Sequence, residues 1–560
     1  MQEFKQHIIN EIKKSTNIKT EINLEIPPSK DLGDFSFPCF TLAKDLKKSP
    51  IEIALDISKK ITKNDFIERV EVKGPYLNFF INKDKLIELT LKKILKEKDK
   101  FGSASRKKDK VMIEFSQPNT HKEFHIGHLR NVALGDSLVR IYRFNGYKTI
   151  AANYIGDIGN HVAKCLWLYL KKYKGKEPKE KRGAWLGDLY TESTKLVDDN
   201  EVLKEEVQTL QKRLEEGDKK LVALWKKTRK WSLDEFNEIY KKLNINFDVV
   251  FYESEEEKPG KILVKSLLKR SIVELNEGAI LINLEKYKLG VFLLLKRDGS
   301  SLYSTKDLAL ANTKFKRYKI DKSIYVVADE QKTYFQQLFK TLEIIGFKQA
   351  KNCYHLPYSL VMLESGKMSS REGNIIKFND IYRDVLDYAM NETKKRHKDW
   401  NKLKQEKISN QIALSALKFS MIAQDDDKVI IFNKERALSF EGNSGPYVQY
   451  TYARSNSILK KVKSFKIKTK NTPTEEEFQL IKKMADFPEI TQQSFKNYQP
   501  HIIANYCLEL AQLLTEFYHK CKVIQEDKNL MNFRLTLIKS YQQVIKNATG
   551  LLGIELPDKM

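Results

Sequence analysis

Cysteine is scarce in this sequence: five in 560 residues, at 39, 165, 353, 507 and 521, with no C-x-x-C pair. That argues against a zinc knuckle and against a disulfide framework, and fits a chain kept reduced. No apolar run is long enough to span a bilayer, so no membrane is expected as a partner. The opening stretch MQEFKQHIINEIKKS is charged throughout and has no apolar signal core, so a cytoplasmic location is expected. Internal repeats and low-complexity tracts are absent too, which sets aside solenoids and disordered linkers.

What is present is basic and globular. Lys and Arg total 100 against 74 Asp and Glu, a net charge of +26. Such an excess points to a polyanionic partner, nucleic acid before membrane, although a lysine-rich genome would produce the same bias. Hydrophobic residues at 41% suffice for sizeable cores, and the length implies three or four domains.

Residues 1 to 100 read as a small α+β unit: HIINEIKK has helical spacing, VEVKGPYLNFFI reads as a strand after a turn, and KLIELTLKKILKEK as a helix. After a polar loop, VMIEFS (111–116) reads as a strand, HLRNVALGDSLVRIYRFNGY (128–147) as a helix and KTIAANYIGDIG (148–159) as a second strand. Strand, helix, strand predicts a parallel βαβ unit and a doubly wound, Rossmann-like sheet spanning 108–385. A charged helical insertion at about 171–250 interrupts it, and the sheet is expected to resume with SSLYSTKDLALA (300–311) and SIYVVADEQ (323–331). From 386 to 560 helical runs dominate, predicting an all-α bundle.

The chemistry concentrates at HKEFHIGHLR. His125 and His128 bracket Ile126 and Gly127 where the first strand hands over to its helix. A helix N-terminus favours anions, Gly127 lets a flat ring lie on the backbone, and imidazoles can stabilise charge building on phosphorus. The pattern suits a nucleoside triphosphate attacked at its α-phosphate; two structural histidines are the plainer alternative. SGKMSSREGN (365–374) adds a glycine-flanked loop with Lys367, Ser369, Ser370 and Arg371, suited to holding a leaving pyrophosphate. Alone it would pass for a solvated turn; the two motifs together are a far rarer pair.

HIGH and KMSS resemble the signature pair of class I aminoacyl-tRNA synthetases. More narrowly, EFSQPNTHKEFHIGHLRNVALGDSL, NYIGDIGNH, DGSSLYSTKDLALA, YVVADEQKTYFQQLF, KMSSREGN, FEGNSGPYVQYTYAR and the terminal LLGIELPDKM resemble the arginyl-tRNA synthetases. The likeness extends over nearly the whole chain and is weakest in the insertion around 171–235.

The resemblance implies an arginine–tRNA ligase with an N-terminal tRNA-contacting unit and a C-terminal anticodon-binding bundle. Its partners would be L-arginine, tRNA(Arg) and ATP as its Mg2+ complex. Neither zinc nor a tightly bound cofactor is expected, and the enzyme would act as a monomer. His125, Gly127, His128, Lys367, Ser369 and Ser370 would hold ATP, with Lys367 and Lys122 sharing the catalytic cation role. Glu114 and Asp307 would meet the guanidinium with Tyr303 against it, and Asn119 and Gln331 would face the backbone end of arginine. Two acids suit a planar cation with five donors, whereas lysine would leave one of them unpaired. Tyr76 and Asn78 would contact the outer corner of the tRNA, and Tyr447, Tyr450 and Met560 its anticodon side. The family also implies that bound tRNA is needed before adenylate forms. Two rivals stand beside this reading. A small nucleotidyltransferase with an H-x-G-H loop would need neither flanking unit. A non-catalytic RNA-binding relative should have lost one of the site residues, and none is missing.

Overall fold

The computed structural model describes residues 1–18, 20–363 and 376–560. At the N-terminus, helix Gln2–Thr16 buries Phe4, Ile8 and Ile12, one apolar stripe at four-residue spacing. It packs with a three-stranded antiparallel sheet of β1 (Phe35–Pro38), β2 (Ile67–Lys73) and β3 (Tyr76–Ile81), in the order β1-β3-β2. The single strand expected in VEVKGPYLNFFI is therefore two. Gly74, at φ +59°, supplies the left-handed turn between them, which a side chain would disfavour.

The central sheet has five parallel strands. Its first three are β4 (Lys110–Glu114), β5 (Lys148–Ile155) and β6 (Val249–Tyr252). A separate antiparallel sheet follows, β7 (Glu274–Asn276), β8 (Ala279–Asn283) and β9 (Val291–Leu295), which the sequence reading did not foresee. The parallel sheet then resumes with β10 (Lys322–Ala328) and β11 (Cys353–Tyr358). The order is β11-β10-β4-β5-β6, so the chain reverses its direction of growth between β4 and β10. Ligands of open parallel sheets bind at the carboxyl ends of the strands beside such a reversal. Successive residues of β4 enter different cores: Met112 joins Ala152, Tyr154 and Phe251 on one face, while Val111 and Ile113 join Ala151 and Ile324 on the other.

SSLYSTKDLALA does not continue the sheet. It opens helix Tyr303–Tyr318, whose buried Leu308, Leu310, Ala311 and Phe315 follow helical rather than strand spacing. Helix Ile126–Phe144 follows β4; a Cβ at Gly135 would lie 2.2 Å from Phe115 Cγ, so only glycine permits this close approach to the sheet. The insertion is helical over Arg182–Val197, Glu201–Glu215 and Lys219–Lys242. In the C-terminal third, five helices (Lys402–Ile422, Gly445–Lys460, Glu475–Asn497, His501–Lys520 and Lys528–Leu551) share a core containing Phe487, Tyr506, Phe517 and Tyr541. Helix Phe378–Arg396 runs unbroken through residue 386 and packs on Lys402–Ile422, so a domain division at that residue would cut it.

Candidate active site

His125 is the N-cap of helix Ile126–Phe144, and the two histidines orient each other through the backbone. The Gly127 amide donates to His125 Nδ1 at 3.1 Å, and the His125 amide donates to His128 Nδ1 at 3.2 Å. Each Nδ1 is thus an acceptor, which puts the proton of each neutral ring on Nε2. The ring centroids lie 3.9 Å apart. Burial lowers both imidazoles, His125 to about 4 with help from the Lys122 charge, and His128 well below its ordinary value with help from His125 and Lys122. At neutral pH the pair therefore offers two uncharged N–H donors at a helix N-terminus, which suits hydrogen bonding to a phosphate oxygen.

The acids sit beside the reversal between β4 and β10. Glu114 ends β4 and faces Tyr325 of β10. It is buried, and Lys314 of helix Tyr303–Tyr318 pairs with it from below, the ammonium 3.9 Å from the Tyr325 ring centroid. Gln117 Nε2 donates to its other oxygen at 3.2 Å. Glu114, named with Asp307 from the sequence, thus already carries a cationic partner. Asp307, one turn into the same helix, accepts the Tyr334 hydroxyl at 2.5 Å. Burial raises Asp307 to about 7; the Tyr334 hydrogen bond pulls it down, and Glu114 and Glu253 push it up. Among the described residues no cation lies at ion-pair distance from it. Tyr303 starts the helix and is 55% exposed.

Asn119 lies in a parallel bridge with Gly156 just beyond β4 and β5. A Cβ on Gly156 would come within 2.1 Å of Asn119 Oδ1, so this glycine keeps the amide in place. Gln331 is exposed in the short turn after β10. Lys122 lies over the Tyr190 ring at 4.6 Å and lines a cavity of about 540 Å³ with His161, Lys306 and Tyr303. Lys367, Ser369 and Ser370 lie outside the described residues. The strand segment that follows them is bound to the histidine loop: the Ile126 amide donates to Ile376 O at 3.1 Å and the Phe378 amide to Phe124 O at 2.8 Å.

Sequence reasoning missed several members of this site. Lys306 pairs with Glu253 in a second buried ion pair, and the buried Tyr154 hydroxyl has no hydrogen-bond partner among the described residues. Glu253 lies in the ESEEE run, where nothing in the sequence distinguishes it from the exposed Glu255. Asp157 has a structural place: it accepts from the Ser254 amide and hydroxyl at 2.9 and 2.7 Å and pairs with Arg229 at 2.8 Å.

The residues picked for RNA contact divide. Tyr76 is 37% exposed and packs edge-on against exposed Phe40, a surface aromatic pair. Asn78 is buried, and its Oδ1 accepts from Ser36 at 2.7 Å, which makes it part of the sheet interior. Tyr447 is half-buried with its hydroxyl 3.2 Å from Thr515. Tyr450 and Met560, distant in sequence, meet in one shallow recess with Arg396.

The chain matches three family models: the arginyl tRNA synthetase N terminal domain over residues 2–81, the class I (R) tRNA synthetase catalytic domain over 90–433, and the DALR anticodon binding domain over 448–560. It is 37% identical to an arginine–tRNA ligase of Clostridium perfringens, with all of both chains covered. It is also 37% identical to that of Bdellovibrio bacteriovorus over 95% of this chain and 93% of the other. Among solved structures, the Thermus thermophilus arginyl-tRNA synthetase superposes with a TM-score of 0.84 at 26% identity, covering 99% of this chain and all of that one.

Proposed function

The chain belongs to the arginyl-tRNA synthetases, and on that premise we propose that Glu114 and Asp307 grip the arginine guanidinium while His125 and His128 stabilise its attack on ATP. The enzyme is an arginine–tRNA ligase: it activates arginine with ATP, forming arginyl-adenylate and pyrophosphate, and passes the arginyl group to tRNA.

The observation that carries the pocket assignment is Asp307, a partly buried acid held by the Tyr334 hydroxyl with, among the described residues, no cation at ion-pair distance. A guanidinium supplies the missing charge and donates to Asp307 and Glu114 together, since a carboxylate already paired with Lys314 keeps free lone pairs. Tyr303 closes over the planar group, and Asn119 and Gln331 take the ammonium and carboxylate end, directing the carboxylate toward the histidines. As the oxygen attacks, charge builds on the α-phosphate within reach of the two Nε2–H donors. Because both rings are already neutral and fixed by backbone hydrogen bonds, they need no reorganisation at that moment. ATP enters as its Mg2+ complex, with Lys122 and Lys367 on its phosphates. Tyr76, Tyr447, Tyr450 and Met560 face the tRNA; Asn78 acts by supporting the strand that carries Tyr76. The enzyme works as a monomer in the cytoplasm.

A crystal structure with L-arginine tests the pocket. The guanidinium is expected within hydrogen-bond distance of Asp307 and Glu114; a side chain bound away from both acids removes the assignment.

A further inference from the structure

One lysine beside the histidine loop serves more carboxylates than it can neutralise. Lys377 Nζ lies 2.7 Å from Glu123 Oε1 and 2.7 Å from Asp188 Oδ1. Glu123 precedes His125 by two residues, and its side chain is only 7% exposed. Burial raises the Glu123 carboxyl and Lys377 opposes the rise. Burial lowers the Lys377 ammonium, but its two carboxylate partners outweigh this and leave it above its ordinary value. A third acid, Glu235 of helix Lys219–Lys242, lies alongside and accepts from Asn379 at 3.2 Å. It is raised to about 7 by burial first and by Glu123 next.

The insertion helix Arg182–Val197 is shaped to this cluster. Gly183 and Gly187 lie one turn apart on one face. A Cβ at Gly187 would come within 2.4 Å of Glu123 Cγ, and one at Gly183 within 2.3 Å of Glu235 Oε2. The two glycines let the helix lie directly on both acids, and the next residue, Asp188, reaches Lys377. The main chain of Lys377 meanwhile bridges His125 in antiparallel fashion, flanked by the two backbone hydrogen bonds at Ile126 and Phe378. An exposed ion pair of this kind would contribute little. Here one partner is buried, so removing the cation leaves a carboxylate that must protonate, move or draw in water.

Resting on the reading of His125 and His128 as phosphate-contacting residues, we infer that Lys377 is a positioning residue for them: with Glu123 and Asp188 it holds the histidine loop in place and ties it to the insertion helix. Arginine's acids stand on other elements, so the joint governs the rate and not the grip on arginine.

Lys377→Met is expected to lower kcat for adenylate formation about 10- to 100-fold, the effect of a misplacement near 1 Å, with KM for arginine within about twofold of wild type. Lys377→Arg should restore most of the rate. In a Glu123→Gln background, Lys377→Met should cost far less, because the acid that needs it is gone. Wild-type kcat in Lys377→Met overturns the inference, as do additive effects with Glu123→Gln or no rescue by arginine. If Lys377→Met does not fold, Glu123→Gln and Asp188→Asn carry the same kcat expectation, and normal kcat in both overturns it. His125→Ala is measured alongside: full kcat there sinks the premise, whereas a slow His125→Ala beside a normal Lys377→Met sinks only the joint.

Discussion

Glu114 and Lys314 form an ion pair with neither side chain open to solvent, the lysine rising from the helix that also carries Asp307. That pair is charge-balanced before any ligand arrives, whereas Asp307 has, among the described residues, no cation at ion-pair distance. Removing one partner of a buried pair strands the other's charge. Lys314→Met should therefore cost about 3–5 kcal/mol of folding stability, seen as a lower denaturant midpoint without ligand. Adding Glu114→Gln should recover part of that loss. An unchanged midpoint in Lys314→Met would contradict the buried pairing.

Asp307→Asn should raise KM for arginine at least about tenfold, since a lost charged hydrogen bond is worth about 1.5–3 kcal/mol. A normal KM would remove Asp307 from the pocket. With Asp307 at about 7, arginine binding should tighten as pH rises through 7 and level off above it, because the guanidinium favours the ionised acid. Below pH 7 each binding event should expel a proton, measurable by calorimetry in buffers of different ionisation enthalpy. The sign for folding is opposite. Between about 4 and 7 the folded state holds a proton that the unfolded chain has released, so Asp307 weakens stability as pH rises through that window.

His128→Ala should mainly lower kcat, on the order of 10²-fold as for loss of one donor to developing charge, with KM for arginine little changed. Since burial holds His125 near 4 and His128 below its ordinary value, neither ring should impose a kcat transition between pH 6 and 8. A rate profile with a histidine-like step near 6.5, lost in the alanine variant, would mean that a charged ring does the work instead.

Pyrophosphate exchange with arginine and ATP alone should be weak and should rise when tRNA is added; strong exchange without tRNA would reject that dependence. With a net charge of +26, tRNA binding should weaken steeply with salt, the logarithm of affinity falling in proportion to the phosphates neutralised.

Much of the catalytic architecture was legible in the sequence. The βαβ order, the histidine pair at the head of a helix, and the helical C-terminal third all follow from periodicity and local turn chemistry. LYSTKD was harder. It could be read as the sheet resuming or as a helix beginning near Ser304 or Thr305, and the helix, which starts at Tyr303, is what brings Tyr303, Asp307 and Lys314 along one side of the pocket. The hairpin sheet β7–β9 went unseen because its short strands alternate poorly.

By itself the sequence determined which chemical groups are available and which local conformations can present them: an imidazole at an N-cap, glycines where a Cβ has no room, acids and lysines in unequal number. Only the tertiary structure decided which charges cancel. Glu114 and Lys314 are 200 residues apart in the chain and Glu123 and Lys377 are 254 apart, and a charge's consequence depends on its depth and neighbours rather than its position in sequence. That is why Glu114 and Asp307, singled out together in the sequence, part company in the fold: Glu114 is paired with Lys314, whereas Asp307 has, among the described residues, no cation at ion-pair distance.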